Sequence, residues 1–310
     1  MRFDTLDHKQ ALVVLLGPLG LICFLAGMSA ACASAEPGNE SPDAAARLVP
    51  GEIDDAADCP SRYTTAARAV VELSWGGSLG IAPGTGKLTV WAKLTYAQGN
   101  DVAVDVAPCG LQLPALTTTT LLGSIRSAVD IPAASFDLPT MPKFTGKLIR
   151  NGSAFELDLN PSLLGLTLNV PAAKWPADAD IVTVDHDGDG KPGVTAIPQE
   201  TDGFGLPPVD VDQTQFADEL YVVSRVQYRA AGVITGCADI LDGTAEVPGY
   251  DYSIVGCHVR DVGDCSTKNL QLVRINRPKF IVAGIGSTYT TRLMSDDSTC
   301  ADVRAALPAP

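Results

Sequence analysis

The run Lys147-Leu148-Ile149-Arg150-Asn151-Gly152-Ser153-Ala154-Phe155-Glu156-Leu157-Asp158-Leu159 decides the class of fold. Phe155, Leu157 and Leu159 alternate with Glu156 and Asp158. That period of two puts one face of a strand on a core and the other in water. Asn151-Gly152 supplies the two positive φ angles of a type I′ turn, so the spacing predicts an antiparallel hairpin closed at those residues.

The same signal recurs on both sides. Ala69 to Trp75 is apolar and bounded by Gly76-Gly77, and Lys87 to Thr95 puts Leu88, Val90, Ala92 and Leu94 on one face. Val102, Val104 and Val106 alternate with Ala103 and Asp105. Further on, Leu220–Tyr228, Ala231–Asp239, Tyr250–Arg260, Leu270–Ile275, Lys279–Ile285 and Ser287–Leu293 all read as strands. Short strands punctuated by Gly, Pro and Asp predict an all-β protein, a sandwich or a barrel, in two β-rich halves (residues 59–177 and 205–310) with few short helices. One such helix is expected over Ser298 to Leu307, capped by Ser298 or Thr299. Trp75, Trp91 and Trp175 are expected in or near the core.

Between the halves, within residues 178–204, lies Asp185-His186-Asp187-Gly188-Asp189-Gly190-Lys191-Pro192-Gly193-Val194-Thr195. Aspartates at alternate positions, closed by a glycine at the sixth, form an oxygen cradle for a hard cation. The stretch resembles the Asp-x-Asp-x-Asp-Gly calcium loops of EF-hands, dockerins and thrombospondin type 3 repeats over about a dozen residues. The resemblance implies Ca2+, with Asp185, Asp187 and Asp189 as side-chain ligands and Lys191 contributing its backbone carbonyl. The pattern departs from an EF-hand where Ala196 replaces the bidentate glutamate, where Gly193 stands at position nine, and where Pro192-Gly193 breaks any exiting helix. The flank Ile181 to Val184 reads as a strand. A β-connected loop must therefore find its remaining oxygens elsewhere, and Asp178, Asp180, Glu200 and Asp202 are close in sequence. The alternative is a Gly/Asp-rich turn with no ion.

The chain has 310 residues, 46% apolar and 6% aromatic, with a net charge of −14. Such an acidic balance argues against nucleic acid as a partner, since a phosphate backbone needs a basic face. The N-terminus reads as a targeting segment (residues 1–35). Arg2 and Lys9 precede an apolar core from Ala11 to Ala26, and small residues follow. Ala33-Ser34-Ala35 suits cleavage before Glu36, whereas Ser29-Ala30-Ala31-Cys32 resembles a bacterial lipobox that would make Cys32 the lipidated residue. An uncleaved anchor is the third reading. All three imply export, to the periplasm, outer membrane or cell surface of a bacterium, and two of them imply a membrane partner. Residues 36–58, rich in Ala, Pro, Asp and Glu, read as a flexible, disordered tether.

Export makes the cysteines informative. Setting aside Cys23 and Cys32, the chain keeps Cys59, Cys109, Cys237, Cys257, Cys265 and Cys300. An even set in an oxidising compartment predicts three disulfides, with fifteen possible pairings. Cys257–Cys265 would close a local loop, and Cys300 would tie the C-terminal segment back to the body.

No catalytic constellation stands out. Gly76-Gly77-Ser78-Leu79-Gly80 matches the G-x-S-x-G elbow of hydrolases, but Ile81-Ala82-Pro83-Gly84 cannot form the helix that must support Ser78. His186 and His258 are the only histidines past the targeting segment. The sequence therefore leads to a non-catalytic exported β protein, a binding or structural module stabilised by disulfides and calcium. A β-barrel carrier of a small apolar ligand is the alternative, and a hydrolase using Ser78 comes third. The overall style resembles bacterial exported lipoproteins, a resemblance that implies no particular activity.

Overall fold

The computed structural model describes residues 62–77, 81–97, 101–120, 123–169, 174–203, 217–234, 243–259, 262–282 and 286–310. All lie in one compact unit, Pro50–Pro310. The targeting segment with Cys32, the tether, Cys59, Ser78 and Cys237 lie outside the described residues.

The protein is all-β. Its first half contributes β1 (Arg62–Trp75), β2 (Gly84–Ala97), β3 (Asp101–Gln112), β4 (Leu116–Thr120), β5 (Gly123–Asp130), β6 (Phe144–Asn151), β7 (Ala154–Leu159) and β8 (Ser162–Leu164). After the aspartate stretch come β9 (Val194–Gly203), β10 (Ala217–Val233), β11 (Gly243–Val259) and β12 (Gly263–Asp264). The chain ends with α1 (Thr267–Asn276), β13 (Phe280–Val282), β14 (Thr288–Met294) and α2 (Cys300–Ala306).

Following the antiparallel pairings from β1 leads through β2, β3, β6, β7, β10, β11 and β14 and back to β1. The circuit closes, so of the two expected architectures the barrel forms, and closure removes the free edges of these eight strands. The two β-rich halves interleave in this ring: β1 pairs with β14 and β7 with β10. The 17-residue β10 takes β7, β8 and β9 in turn along one edge, which carries the sheet past the ring to β9, β5 and β4.

Alternation builds the interior. Leu88, Leu94 and Tyr96 of β2 are buried in the main core with Val90 and Ala92 packed against it, the face read from the sequence. The β6–β7 hairpin buries Phe155, Leu157 and Leu159 and exposes Ala154, Glu156 and Asp158. Its turn differs from the expectation. Asn151 pairs with Ala154, so the two loop residues are Gly152-Ser153, with Gly152 at φ 62°. A glycine at the first loop position supplies the positive φ that a two-residue hairpin turn needs there. This register also seats Leu159 against Gly146, where a Cβ would come within 2.4 Å of Leu159 Cδ2.

Two other strand expectations fail. Leu270–Ile275 is helical, within α1. Ser266 accepts the backbone N–H of Asn269 as N-cap, and the helix formers Lys268, Leu270, Gln271 and Arg274 outweigh the apparent alternation. Ile181–Val184 makes only a bridge, Thr183 opposite Leu166, with hydrogen bonds from Thr167 N to Val182 O and Val184 N to Gly165 O. Val182 is 63% exposed there, so no apolar burial extends the pairing.

The C-terminal helix forms as expected. Thr299, rather than Ser298, caps α2 and makes a capping box with Asp302. Val303 and Leu307 pack with Trp91 on the outside of the barrel wall, and Trp91 Nε1 donates to Leu307 O at 2.6 Å. Arg304 lies 4.7 Å from the centre of the Trp91 ring and bonds both oxygens of Asp130 at 2.9 Å. A Cys109–Cys300 disulfide ties α2 to β3, and Cys257–Cys265 closes a loop of eight residues' separation; both are the roles read from the sequence. Among the described residues, no helix is long and apolar enough to cross a membrane.

Candidate metal centre

The aspartate stretch is held on the barrel by two glycines. Gly165, just after β8, and Gly193, just before β9, have φ of 74° and 94°. Both sit against the same carbonyl: a Cβ on Gly165 would approach Val222 O to 2.7 Å, and one on Gly193 to 2.6 Å. His186 joins the two sides, since its Nδ1 accepts the Gly165 N–H at 2.9 Å and its own N–H donates to Gly193 O at 3.3 Å. Burial lowers the His186 pKa, against the opposing pull of Asp185, so the ring is neutral with its proton on Nε2. From the other side, Thr140 Oγ1 donates to His186 O.

On this base the three aspartates turn inward. One oxygen from each of Asp185, Asp187 and Asp189 lies within 4.8 Å of the others, and no other such group of His, Cys, Asp or Glu occurs among the described residues. Asp185 Oδ1 accepts the N–H of Gly188 at 2.6 Å and Oδ2 that of Gly190 at 2.8 Å, which wraps the chain around its carboxylate. Asp187 Oδ2 accepts the Thr195 N–H at 2.7 Å. Asp189 takes the Lys191 N–H at 2.8 Å on Oδ1 and the Thr195 hydroxyl on Oδ2. Asp187 Oδ1 is buried and has no hydrogen-bond partner.

These environments push the carboxylates apart. Burial acts to raise the Asp185 pKa, but the Gly190 and Gly188 N–H groups outweigh it and hold the value below the ordinary range. Asp187 is raised, first by burial and then by the charge of Asp189, with the Thr195 N–H only partly offsetting them. A cation among the three oxygens would reverse the repulsion, and one that also reached Asp187 Oδ1 would supply its missing partner. Oxygen donors only, three of them carboxylates, suit a hard ion such as calcium.

Two of the auxiliary oxygens expected from sequence proximity lie elsewhere. Asp178 lies in a short 3-10 turn and is engaged elsewhere, accepting from Ser253 Oγ at 2.7 Å and from Arg277 Nη1 at 2.9 and 3.0 Å. Asp180 is not in the aspartate group. Glu200 and Asp202 lie along β9, opposite Ser127 and Arg126 of β5. The fold also places the Thr195 hydroxyl, at the start of β9, against Asp189 Oδ2, to which it donates. Lys191 also has a role that local spacing does not reveal. Its Nζ bonds Asp264 Oδ1 at 2.8 Å and lies 5.5 Å from the Tyr221 ring centre, and these partners hold its pKa above the usual value. Its positive charge thus points into the Cys257–Cys265 loop.

Of the other candidates, Gly76 and Gly77 follow β1 and the chain enters β2 at Gly84, so among the described residues no helix follows the elbow motif. His258 Nδ1 pairs with Asp218 Oδ1 at 2.8 Å on the barrel wall. No protein-family model, no curated protein and no solved structure matches the chain.

Proposed function

We propose that this chain is a non-catalytic, exported β-barrel module, a binding or structural protein, that one calcium ion rigidifies at Asp185, Asp187 and Asp189. The observation that carries the reading is the convergence of three carboxylates, one of which, Asp187, keeps a buried oxygen without a partner. An unpaired buried acceptor costs about 1–3 kcal/mol, so a group in this position calls for a partner. The charge balance and the paired cysteines suit an oxidising, calcium-containing exterior. The targeting segment supplies the route, and Cys32 the lipid attachment to a membrane. Without a bidentate glutamate, affinity falls at about 10⁻⁴–10⁻³ M, as in extracellular modules.

Calorimetric titration of the exported protein with calcium tests this, with thermal melting in chelator alongside. The expected result is one site per chain, with a melting temperature that rises by about 5 °C at a hundredfold excess over the dissociation constant. Asp187→Ala should abolish both. Absence of heat up to ~10 mM calcium, with an unchanged melt, would reduce the loop to a Gly/Asp turn.

A further inference from the structure

The segment that carries the aspartates is held at both ends by one stretch of chain that follows β11. Asp178, ahead of the aspartates, accepts from Arg277 Nη1 at 2.9 and 3.0 Å, and Lys191, after them, bonds Asp264 Oδ1 at 2.8 Å. Asp264 and Arg277 lie on either side of α1. The Arg277 end has other supports. Ser253 Oγ also donates to Asp178, and Arg274 of α1 donates to Ile254 O at 2.7 Å. The Asp264 end has fewer. β12 joins β11 at His258–Asp264 and Val259–Gly263, with Cys265 N donating to Cys257 O at 2.7 Å just beyond. A ribbon that short is not stable by itself. The Cys257–Cys265 disulfide closes it, and so fixes the neighbouring Asp264 against Lys191 and the Tyr221 hydroxyl, which donates to Asp264 Oδ1 at 3.0 Å.

We propose that the Cys257–Cys265 disulfide is a redox-operated latch on the aspartate loop, opened by a dithiol. Exposure selects this bridge. Cys109 and Cys300 are both buried, at 0% and 4%, whereas Cys265 is partly exposed. A thiolate of the dithiol attacks Cys265 Sγ, and Cys257 leaves as a thiolate that takes up the proton the dithiol gave up. The second thiol of the dithiol then displaces Cys265 from the mixed disulfide. Both cysteines end as thiols and the dithiol as its own disulfide. Once the bridge is open, β12 separates from β11 and Asp264 leaves Lys191. His186 and Gly193 still seat the base of the loop, but its outer turn loses the tie that Lys191 makes to the sheet. The N–H bonds of Gly188, Gly190 and Thr195 to the aspartates loosen with it, and the three carboxylates are less well pre-organised. The consequence for calcium rests on the function proposed above; the latch does not.

The test uses the full exported chain in chelator, with and without dithiothreitol, and reads amide exchange in the loop. Alkylation should mark Cys257 and Cys265 before Cys109 and Cys300. Exchange at Gly188, Gly190 and Thr195 should then quicken about threefold, the scale of one exposed ion pair. Asp264→Asn removes the tie and leaves the bridge. Its exchange should already be fast when oxidised, and dithiothreitol should add nothing. Cys257→Ser with Cys265→Ser should reproduce the reduced rates without reductant. Unchanged exchange after Cys257 and Cys265 are alkylated would overturn the proposal, as would an equal further rise in Asp264→Asn, or opening of Cys109–Cys300 first. Calcium titration of the oxidised and reduced protein separates latch from ion. Affinity about threefold weaker on reduction joins the two. No calcium heat in either state, with the exchange difference intact, removes the calcium site and supports the latch alone.

Discussion

The same carboxyl that makes the aspartate loop attractive to a cation makes it costly without one. Asp187 is pushed towards its protonated form by burial and by Asp189. Its folded pKa therefore lies above its unfolded value, and at neutral pH the ionised group opposes folding. Asp187→Asn keeps the acceptor for the Thr195 N–H and removes the charge. In chelator this variant should melt at or above the wild-type temperature, and it should lack the rise expected of the wild type in calcium; a melt well below wild type in chelator would assign Asp187 a different role. Asp178 has the opposite sign. Burial tends to raise it, but Ser253 and Arg277 together hold it below its ordinary 3.8. Its stabilising contribution is whole above that value and is lost as pH falls through the depressed folded pKa. The gap in stability between wild type and Asp178→Asn should be constant from pH 7 to about 5 and should shrink below about 4. Acid titration of both proteins, followed by circular dichroism, checks this. At this scale the sequence was readable where partners are local. Asp185, Asp187 and Asp189 are two apart and meet, whereas the Lys191–Asp264 pair joins residues 73 apart.

Elements were legible to the extent that a single periodicity determined them. Alternation identified the inner face of β2 and of β7, although only β7 leaves its other face exposed, Trp91 of β2 being buried under α2. It misled at Leu270–Ile275, where a serine cap and helix-forming residues settled a segment that alternation alone could not, and it placed the hairpin turn one residue early. Positive-φ glycines were similarly visible as glycines, but not as contacts. Gly188 and Gly165 both take left-handed backbone, at φ 70° and 74°. A Cβ on Gly188 meets nothing closer than Leu138 Cδ1 at 4.0 Å, whereas on Gly165 it meets backbone at 2.7 Å. Gly188→Ala should cost about 1 kcal/mol, the left-handed penalty alone. Gly165→Ala adds displacement of the segment from β10 and should cost at least about 3 kcal/mol. Because Gly165 also donates to His186, its alanine variant should weaken calcium binding. Urea denaturation of the two variants side by side separates backbone strain from collision; equal losses would mean that the loop is not seated on Val222 as described.

For the molecule as a whole, the sequence specified strands but not their neighbours. Period two says which residues face inward, and nothing in it says that β7 lies beside β10 or β1 beside β14. Those pairings join segments on opposite sides of the aspartate stretch, so the barrel closes only when distant parts of the chain meet. Contacts of that separation are slow to form and carry a large loop-closure entropy. The Cys109–Cys300 disulfide bears on this term directly. It joins residues 191 apart and fixes α2 against the wall that carries Trp91. In the chain-entropy view, a cross-link of that span destabilises the unfolded ensemble by about 5 kcal/mol. Replacing both cysteines with alanine should therefore lower the melting temperature by roughly 10 °C. It should also steepen the dependence of stability on denaturant, because the unfolded chain becomes more expanded. Opening Cys257–Cys265, a loop of eight, removes much less entropy and should cost less than half as much. If the two losses proved equal, the long disulfide would act through local packing around Trp91 and α2, and closure of the barrel would owe its stability to the sheet alone.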